Sequence, residues 1–436
     1  MAVLFPRTED EVAAALAVCH RLGVPATARG GGTSMAGNAI GTGLILDLSR
    51  HMNRVLSVDE AAGTATAETG AVLTHIRAAV HSATDSRLTF APDPSSQSRA
   101  CLGGAIGNDA CGNHSVRHGR TADHVVELRL VTSDGLRLTA TRSGVRATDP
   151  DDGPARARAE HLERELRELA SDHLAAIRVE LGRIPRQVSG YHLRHLLPEE
   201  GFDVARALVG SEGTCAVITS ATVTIVPKSQ RTSLIVAGYA DVVDAARDVP
   251  LLLRHRPTAI EGIDEIIVQT MRVRRGPDAV ADLPEGHAWL FIEVEEPADG
   301  EGAADDAGGG DSRGPSSALA HAFAQRLLDR THRGRGEPDT DQPVVFVEDH
   351  VLGASELLPD RRNVLFAEAD DRVVLRFFLA GFRGAVDGAL GAVTNRLCGD
   401  FRKLLPDQCG YLLGRLRLRA DRGGGDLHVG HRQPLH

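Results

Sequence analysis

Three glycine-rich segments of the chain could bind a phosphate-containing ligand. They run from Arg29 to Gly37, from Cys101 to Gly112 and from Gly210 to Thr214. Glycine lacks a Cβ atom, so consecutive glycines let backbone N–H groups approach and surround an anion such as a diphosphate. The first segment contains neither a Gly-Lys-Ser/Thr sequence nor a G-x-G-x-x-G before a long helix. Taken by itself, it is either a tight connecting turn or a ligand cradle.

The elements around the first segment are predicted from apolar spacing. Apolar residues recur at helical spacing from Thr8 to Leu22, and Thr8 with Glu11 has the S/T-x-x-E pattern of a capping box. A short strand from Val24 to Ala28 leads directly into the glycines, and Gly43 to Leu48 predicts a second strand. The first segment therefore connects two short strands beside a helix.

The rest of the N-terminal half is predicted to mix strands and helices. Asp134-Gly135 is a strong hairpin signal. The arginine-rich segment from Ala157 to Leu181 predicts a charged helix on the surface, and β-branched residues from Val217 to Val226 predict a strand. Further predicted elements are a hairpin of strands 55–58 and 64–68, a helix over 71–83 and strands over 125–132 and 136–141.

Pro227 ends the first predicted domain, which covers residues 1–227. The pattern then restarts with strand 233–239, helix 242–254 and strand 289–295, which predicts a smaller, partial α+β domain over residues 228–350. Within it, residues 297–317 are rich in Gly, Asp, Ala and Ser and lack periodicity, as expected of a flexible loop. Residues 351–436 have weak periodicity and arginine runs, and they predict a degenerate or frame-shifted tail.

Composition and charge exclude several classes of protein. A chain of 436 residues exceeds the size of one hydrophobic core, and 49 basic against 59 acidic residues give a net charge of −10, which argues against a nucleic-acid partner. No stretch has the roughly 20 apolar residues of a membrane span, and the first residues lack a signal-peptide pattern, so the expected location is cytoplasmic. No disulfide framework, zinc finger or self-contained iron–sulfur site is predicted from the scattered cysteines Cys19, Cys101, Cys111, Cys215, Cys398 and Cys409.

Four separated segments together resemble one known family. They are Arg29 to Gly37, Pro92 to Gly112, His118 to Asp123 and Gly210 to Thr214. In this order they resemble the flavin-binding domain of the vanillyl-alcohol oxidase type, also called the p-cresol methylhydroxylase type. The most similar branch is that of the FAD-linked D-lactate, glycolate and D-2-hydroxyglutarate dehydrogenases. The resemblance implies an α+β fold in which a two-subdomain FAD-binding domain precedes a smaller α+β substrate (cap) domain.

The same resemblance implies which residues would hold FAD. The first loop would bind the pyrophosphate through backbone amides, the second would line the diphosphate and ribityl chain, and the third would lie at the adenosine or ring end. Family members with covalently attached FAD often have a histidine directly after the glycine run, where this chain has Thr33, so dissociable, non-covalent FAD is predicted. The implied cofactor-binding residues are Arg29, Gly30, Gly31, Gly32, Thr33, Ser34, Pro92, Gly103, Gly104, Asn108, Gly112, Glu212, Gly213, Thr214 and Ile218.

Oxidation of a hydroxy acid also needs a base and a cation for the substrate carboxylate. Histidine is the usual base near neutral pH, and His114, His118 and His192 lie in or beside the predicted loops. Arg194, close to His192 in sequence, is the best-placed guanidinium to bind a carboxylate with two hydrogen bonds. His192 and Arg194 are therefore the predicted catalytic residues, although a solvated or structural role is the alternative for each.

The implied activity is oxidation of a D-2-hydroxy acid by hydride transfer from C2 to flavin N5, with electrons passing to an external acceptor. Two alternatives stay open: a flavin-binding remnant without turnover, and an alcohol or sugar oxidase that uses oxygen on the same scaffold. The family's second domain supplies a Trp/Arg segment and a histidine-containing glycine turn, which binds a metal in some members. Neither is recognisable here: the only tryptophan is Trp289 on a predicted strand, and no metal site is predicted.

Overall fold

The structure is a computed structural model that describes residues 1–181, 187, 190–229, 231–281, 283–295 and 344–348. The predicted loop 297–317 and the predicted tail 351–436 lie outside these residues. None of the described helices is long and apolar enough to cross a bilayer.

A small parallel sheet with one helix carries the first glycine-rich segment. Helix α1 begins after Thr8, whose hydroxyl accepts a hydrogen bond from the Glu11 N–H, and it ends at Gly23 in the left-handed conformation. The predicted capping box is only half formed, because the Glu11 carboxylate accepts from the Arg7 N–H instead. The three-stranded sheet has the order β1-β3-β2. The elements are β1 (Ala2–Leu4), α1 (Glu9–Leu22), β2 (Ala26–Arg29) and β3 (Leu44–Asp47).

A six-stranded antiparallel sheet forms the main core of the N-terminal half, in the order β4-β5-β10-β7-β8-β9. The predicted turn at Asp134-Gly135 joins β7 to β8, and Gly135 takes a φ of 88° there. The strands are β4 (Val55–Asp59), β5 (Thr64–Glu68), β7 (Val125–Val131), β8 (Arg137–Thr141), β9 (Gly144–Ala147) and β10 (Val217–Thr224). A separate pair consists of β6 (Leu88–Thr89) and β11 (Val226–Pro227).

Helices pack on this sheet through their apolar residues. The arginine-rich segment that was predicted as one surface helix is two helices, separated at His173, and its first helix buries Ala155, Ala159 and Leu162 in the main core. The prediction of a surface helix is therefore wrong for one face of the first helix. Alanine and leucine recur at helical spacing between the arginines, and they form an apolar face that is buried against the core. The described helices of this half after α1 are α2 (Leu73–Ala83), α3 (Leu102–Asn108), α4 (Ser115–His118), α5 (Thr121–His124), α6 (Gly153–Asp172), α7 (Leu174–Glu180) and α8 (Val204–Ala207), of which α4 buries none of its residues.

A second antiparallel sheet begins at Thr232, with the strand order β13-β14-β12-β15. Alternate residues of its strands are buried on opposite faces: Ile235 packs with Ala245 of one helix, whereas Val236 packs with Val268 of another. Both predicted strands are present here, and the tryptophan at 289 is buried. The elements are β12 (Thr232–Tyr239), α9 (Val242–Leu252), β13 (Ala259–Asp264), α10 (Glu265–Arg275), β14 (Ala288–Glu295) and β15 (Val344–Glu348). The predicted domain boundaries themselves stay predictions.

Candidate functional site

The first glycine-rich loop leaves the carboxyl end of β2 and is held by packing that only glycine allows. A Cβ atom at Gly31 would lie 2.1 Å from the Arg99 carbonyl oxygen. Gly32 has a φ of 65°, and a Cβ there would lie 2.4 Å from the Arg29 guanidinium. That guanidinium pairs with Asp47 at 3.4 Å, so Arg29 supports the loop from the sheet side rather than extending into solvent. The loop conformation is therefore fixed by its own protein contacts.

The first loop lies against the start of α3, which carries the second glycine cluster. A Cβ at Gly30 would lie 3.0 Å from Cys101 Cβ and 3.8 Å from the Gly104 nitrogen. Gly103 packs on Thr69, where a Cβ would be 2.8 Å from Thr69 Cβ, but a Cβ at Gly104 would meet nothing within 4 Å. Gly104 therefore faces open space beside the first loop, and this space, which the two clusters border, is called the cleft below.

Backbone N–H groups in this cleft have no protein acceptor among the described residues. This holds for Gly32, Thr33, Ser34 and Gly104, whereas the neighbouring Gly103 N–H donates to the Thr69 carbonyl at 2.8 Å. Gly32, Thr33 and Gly104 are also solvent-exposed. Converging backbone donors without acceptors form an anion-binding concavity, which is the chemistry that a pyrophosphate needs.

The third loop adjoins the other end of α3. The Glu212 N–H donates to the Gly107 carbonyl at 2.9 Å, and the Asn108 amide donates to Glu212 Oε1 at 2.9 Å. Gly213 has a φ of 71°, and a Cβ there would meet nothing within 4 Å. The Thr214 hydroxyl donates to the Ser211 carbonyl at 2.6 Å, which closes the loop. All three predicted loops therefore meet around α3.

Thr69 connects two of the predicted residues, although sequence reasoning did not select it. Its hydroxyl donates to the Ile218 carbonyl at 2.7 Å, and its carbonyl accepts from Gly103. Ile218 lies on β10 opposite Leu130, so it contributes to the sheet beneath α3. Thr69 precedes a single glycine, and that pattern alone gives no signal of a ligand site.

The segment that contains Pro92 packs beside Gly112. A Cβ at Gly112 would lie 2.2 Å from the Asp93 carbonyl oxygen, so only glycine fits there. The Arg77 guanidinium donates to the carbonyls of Phe90 and Pro92, both at 3.2 Å, and burial lowers the pKa of Arg77. A half-buried arginine thus fixes the Pro92 segment, in a role the sequence did not reveal.

His192 and Arg194 face different surroundings. His192 is buried, its Nε2 atom lies 3.6 Å from Asp109 Oδ2, and Arg120 pairs with the same oxygen at 2.9 Å. Burial lowers the pKa of His192, so its imidazole is neutral near pH 7. The Arg194 guanidinium is exposed and donates to Glu200 at 3.0 Å. Their predicted catalytic roles stay predictions.

Comparison with known proteins identifies an FAD-binding domain in the N-terminal part of the chain. The family model described as "FAD binding domain" matches residues 1–141. The chain therefore contains an FAD-binding domain, its cofactor is FAD, and the free amides and open space at Gly104 fit the pyrophosphate of that group. The predicted α+β, FAD-binding fold class is confirmed.

The relatives place the chain more narrowly. The D-2-hydroxyglutarate dehydrogenase of Pseudomonas putida is 32% identical over 61% of this chain and 26% of its own length. That of Escherichia coli is 31% identical over 70% of this chain and 30% of its own length. The glycolate oxidase subunit GlcD of Bacillus subtilis is 29% identical over 68% of this chain and 52% of its own length. The resemblance to the FAD-linked D-2-hydroxy-acid dehydrogenase branch is thus confirmed. The chain spans between about a quarter and a half of the length of these relatives.

Proposed function

We propose that the chain binds FAD non-covalently in the cleft around α3 and acts as an oxidoreductase on a D-2-hydroxy acid. The observation that carries this proposal is the approach of Gly30 to Gly104, with unpaired N–H groups on both walls. The substrate class is supported by the names of the relatives, which act on D-2-hydroxyglutarate or glycolate. D-lactate, glycolate and D-2-hydroxyglutarate are the proposed substrates, an external carrier is the proposed electron acceptor, and the proposed location is cytoplasmic.

Bound FAD would supply a hydride acceptor at N5 for the hydride on the substrate C2. The chain supplies binding and positioning. The amides of Gly32, Thr33, Ser34 and Gly104 would hold the pyrophosphate, and Arg29 keeps their loop in the required conformation through its contact with Asp47. Asn108 donates a hydrogen bond from the second loop to Glu212 of the third loop, which connects the two loops.

His192 is proposed as the base and Arg194 as the carboxylate clamp. In the described structure His192 is covered by the third loop, since a Cβ at Gly210 would lie 3.3 Å from its Nε2 atom. Its action as a base therefore requires the loop at Gly210 to move. Arg194 is half exposed and must exchange Glu200 for the substrate carboxylate.

Purification followed by anaerobic titration tests the proposal. A yellow protein whose flavin absorption is bleached by D-lactate, glycolate or D-2-hydroxyglutarate is the expected result. Flavin that is never bleached by a hydroxy acid favours the remnant without turnover, and bleaching by an alcohol or sugar with peroxide formed in air favours the oxidase. Release of all flavin by acid precipitation is expected for non-covalent FAD. A chain that stays colourless after incubation with FAD contradicts the proposal.

A further inference from the structure

His114 joins the FAD-binding half of the chain to the second sheet. Its Nδ1 atom lies 2.7 Å from Asp93 Oδ2, and its backbone N–H donates to Asp93 Oδ1 at 3.3 Å. Its Nε2 atom lies 3.0 Å from Glu293 Oε1 on β14. One imidazole thus contacts carboxylates from two regions that are far apart in sequence.

The hydrogen-bond inventory determines the charge of this ring. A carboxylate only accepts hydrogen bonds, and a neutral imidazole has one N–H, so a neutral His114 would present a lone pair to one of the two carboxylates. The imidazolium donates to both. The hydrogen bonds to Asp93 and Glu293 raise the pKa of His114 to about 10. Because 38% of the side chain is exposed, solvent screens part of this attraction.

Asp93 follows Pro92 and packs on Gly112, and both of these residues are predicted to line the FAD site. Its backbone carbonyl contacts Gly112, one of the predicted FAD residues, and the preceding Pro92 is held by Arg77. Asp93 therefore cannot move without displacing both the Pro92 segment and the end of the second glycine loop. Loss of the His114–Asp93 contact would therefore affect residues that are predicted to line the FAD site.

Glu293 is equally fixed on the other side. It lies on the inner strand β14, where it pairs with Leu234 and Ala259 of the adjacent strands. Its Oε1 atom also accepts from the Thr258 hydroxyl at 2.5 Å. Burial works against its ionisation, but the hydrogen bond from His114 leaves the pKa of Glu293 below its usual range.

A second contact, from the short helix that follows His114, reinforces this connection. Arg117 on α4 pairs with Glu295 at 3.4 Å and donates to the Arg256 carbonyl at 3.4 Å. Both Glu293 and Glu295 lie on β14, so that strand is contacted by His114, which immediately precedes α4, and by Arg117 of α4.

We infer that His114 is a positioning residue: its positive charge, shared between Asp93 and Glu293, fixes the second sheet against the wall of the FAD cleft. The expected effect on FAD affinity rests on the proposed function. The contacts of His114 with Asp93 and Glu293 can be tested without FAD. Removing the charge leaves two carboxylates facing each other, which separates the sheet from the Pro92 segment. FAD affinity then falls because one wall of the cleft loses its support.

A double-mutant cycle without FAD tests the bridge directly. His114→Gln, Glu293→Gln and the double variant are compared by urea unfolding of the full chain at pH 7. His114→Gln is expected to lower the unfolding midpoint most, and the double variant to regain part of that loss, since the repulsion between Asp93 and residue 293 is gone. The control is His287→Gln. This histidine is largely exposed, and its partner Glu265 lies in the same part of the chain, beside the second sheet, so the substitution does not touch the bridge. Additive effects contradict the bridge.

The pH dependence separates a charged bridge from simple packing. The groups that face His114 are Asp93 and Glu293, and Arg117 and His118 lie beside it on α4. Because the folded pKa is raised from 6.5 to about 10, the stabilisation is complete below pH 6.5 and is lost as the pH rises to about 10. The midpoint difference between wild type and His114→Gln should therefore shrink over this range, and a constant difference contradicts the inference.

Titration with FAD gives the consequence for the site. At pH 7, His114→Gln should raise the Kd for FAD about tenfold, whereas His287→Gln should leave it unchanged. If wild type takes up no FAD, the proposed function fails while the cycle still reports on the bridge. Unchanged FAD affinity in a His114→Gln protein whose cycle shows coupling overturns the positioning role.

Discussion

The Asn108 side chain donates a 2.9 Å hydrogen bond to Glu212 Oε1, and this bond joins two loops that are far apart in sequence. Asn108 ends α3, and Glu212 takes a φ of 53° in the third loop. A strained backbone at a surface loop needs such a contact to hold its conformation. The bond thus links the second and third walls of the FAD cleft.

Replacing this hydrogen bond with a repulsion between two carboxylates should weaken FAD binding without unfolding the protein. In Asn108→Asp a carboxylate would face Glu212 at hydrogen-bond distance, so the third loop should move away and the Kd for FAD should rise about tenfold. Because Asn108 is exposed, the free energy of unfolding should change by less than about 1 kcal/mol. The combined variant Asn108→Asp, Glu212→Gln restores a donor opposite an acceptor and should recover most of the affinity. Flavin fluorescence titration measures the Kd for FAD of the single and the combined variant. A combined variant that binds FAD as weakly as Asn108→Asp would contradict the role of this pair.

The two adjacent glycines of α3 should respond oppositely to alanine. At Gly104 an added methyl group meets no protein atom, and alanine favours a helix. The free energy of unfolding of Gly104→Ala should therefore equal that of wild type or exceed it by up to about 1 kcal/mol. The same methyl group occupies the cleft, so the Kd for FAD should rise at least about tenfold.

Gly103→Ala is the matched control, because its Cβ would lie 2.8 Å from Thr69 Cβ. It should lose about 1–3 kcal/mol of folding stability through overpacking. Chemical denaturation and FAD titration of the two variants separate binding from folding. A Gly104→Ala protein that binds FAD like wild type would place the pyrophosphate elsewhere.

Buried neutral histidines should make the protein sensitive to acid. Burial lowers the pKa of His195 to about 4, and the neighbouring Arg206 and His192 act in the same direction, whereas Glu200 and Asp123 oppose them. The unfolded chain therefore binds more protons than the folded one between pH 6.5 and about 4, and stability falls as the pH is lowered through this window. His195→Gln removes one titrating group, so the free energy of unfolding of this variant should fall by about 2 kcal/mol less than that of wild type over the same pH range. Urea unfolding at pH 7 and pH 4.5 measures the difference, and equal losses would contradict the assignment.

The elements around the first loop were predictable because local signals coincide there. Thr8 caps α1, and Gly23 ends it in the left-handed conformation, as a polar cap and a terminal glycine predict. The loop glycines at 30–32 follow a strand, and three glycines in a row indicate that the backbone approaches another group closely. Sequence alone left open whether that partner is protein or ligand. The structure gives both: Gly31 packs on Arg99, and Gly104 faces open space.

Other features depend on contacts that sequence does not encode locally. Strand β13 and helix α10 have mixed polar residues, and the strand forms because β14 pairs with it in register. His114 looked like one of several histidines near the loops, and its significance comes from Glu293, which is distant in the chain. Arg194 neighbours His192 in sequence, but their side chains reach Glu200 and Asp109 respectively. Closeness in sequence therefore did not predict that the two side chains have different partners.

The exposed pair of Arg194 and Glu200 gives a direct test of the proposed carboxylate clamp. An exposed ion pair contributes about 0–1 kcal/mol, so substrate can compete for the guanidinium at little cost. Arg194→Gln should raise KM for the hydroxy acid about tenfold or more and leave the unfolding midpoint unchanged, because a neutral amide binds a carboxylate more weakly than a bidentate guanidinium. Glu200→Gln should lower KM, since it frees Arg194 from its present partner. Steady-state kinetics with an artificial electron acceptor measures both variants, and a KM that ignores both substitutions would assign the carboxylate to another cation.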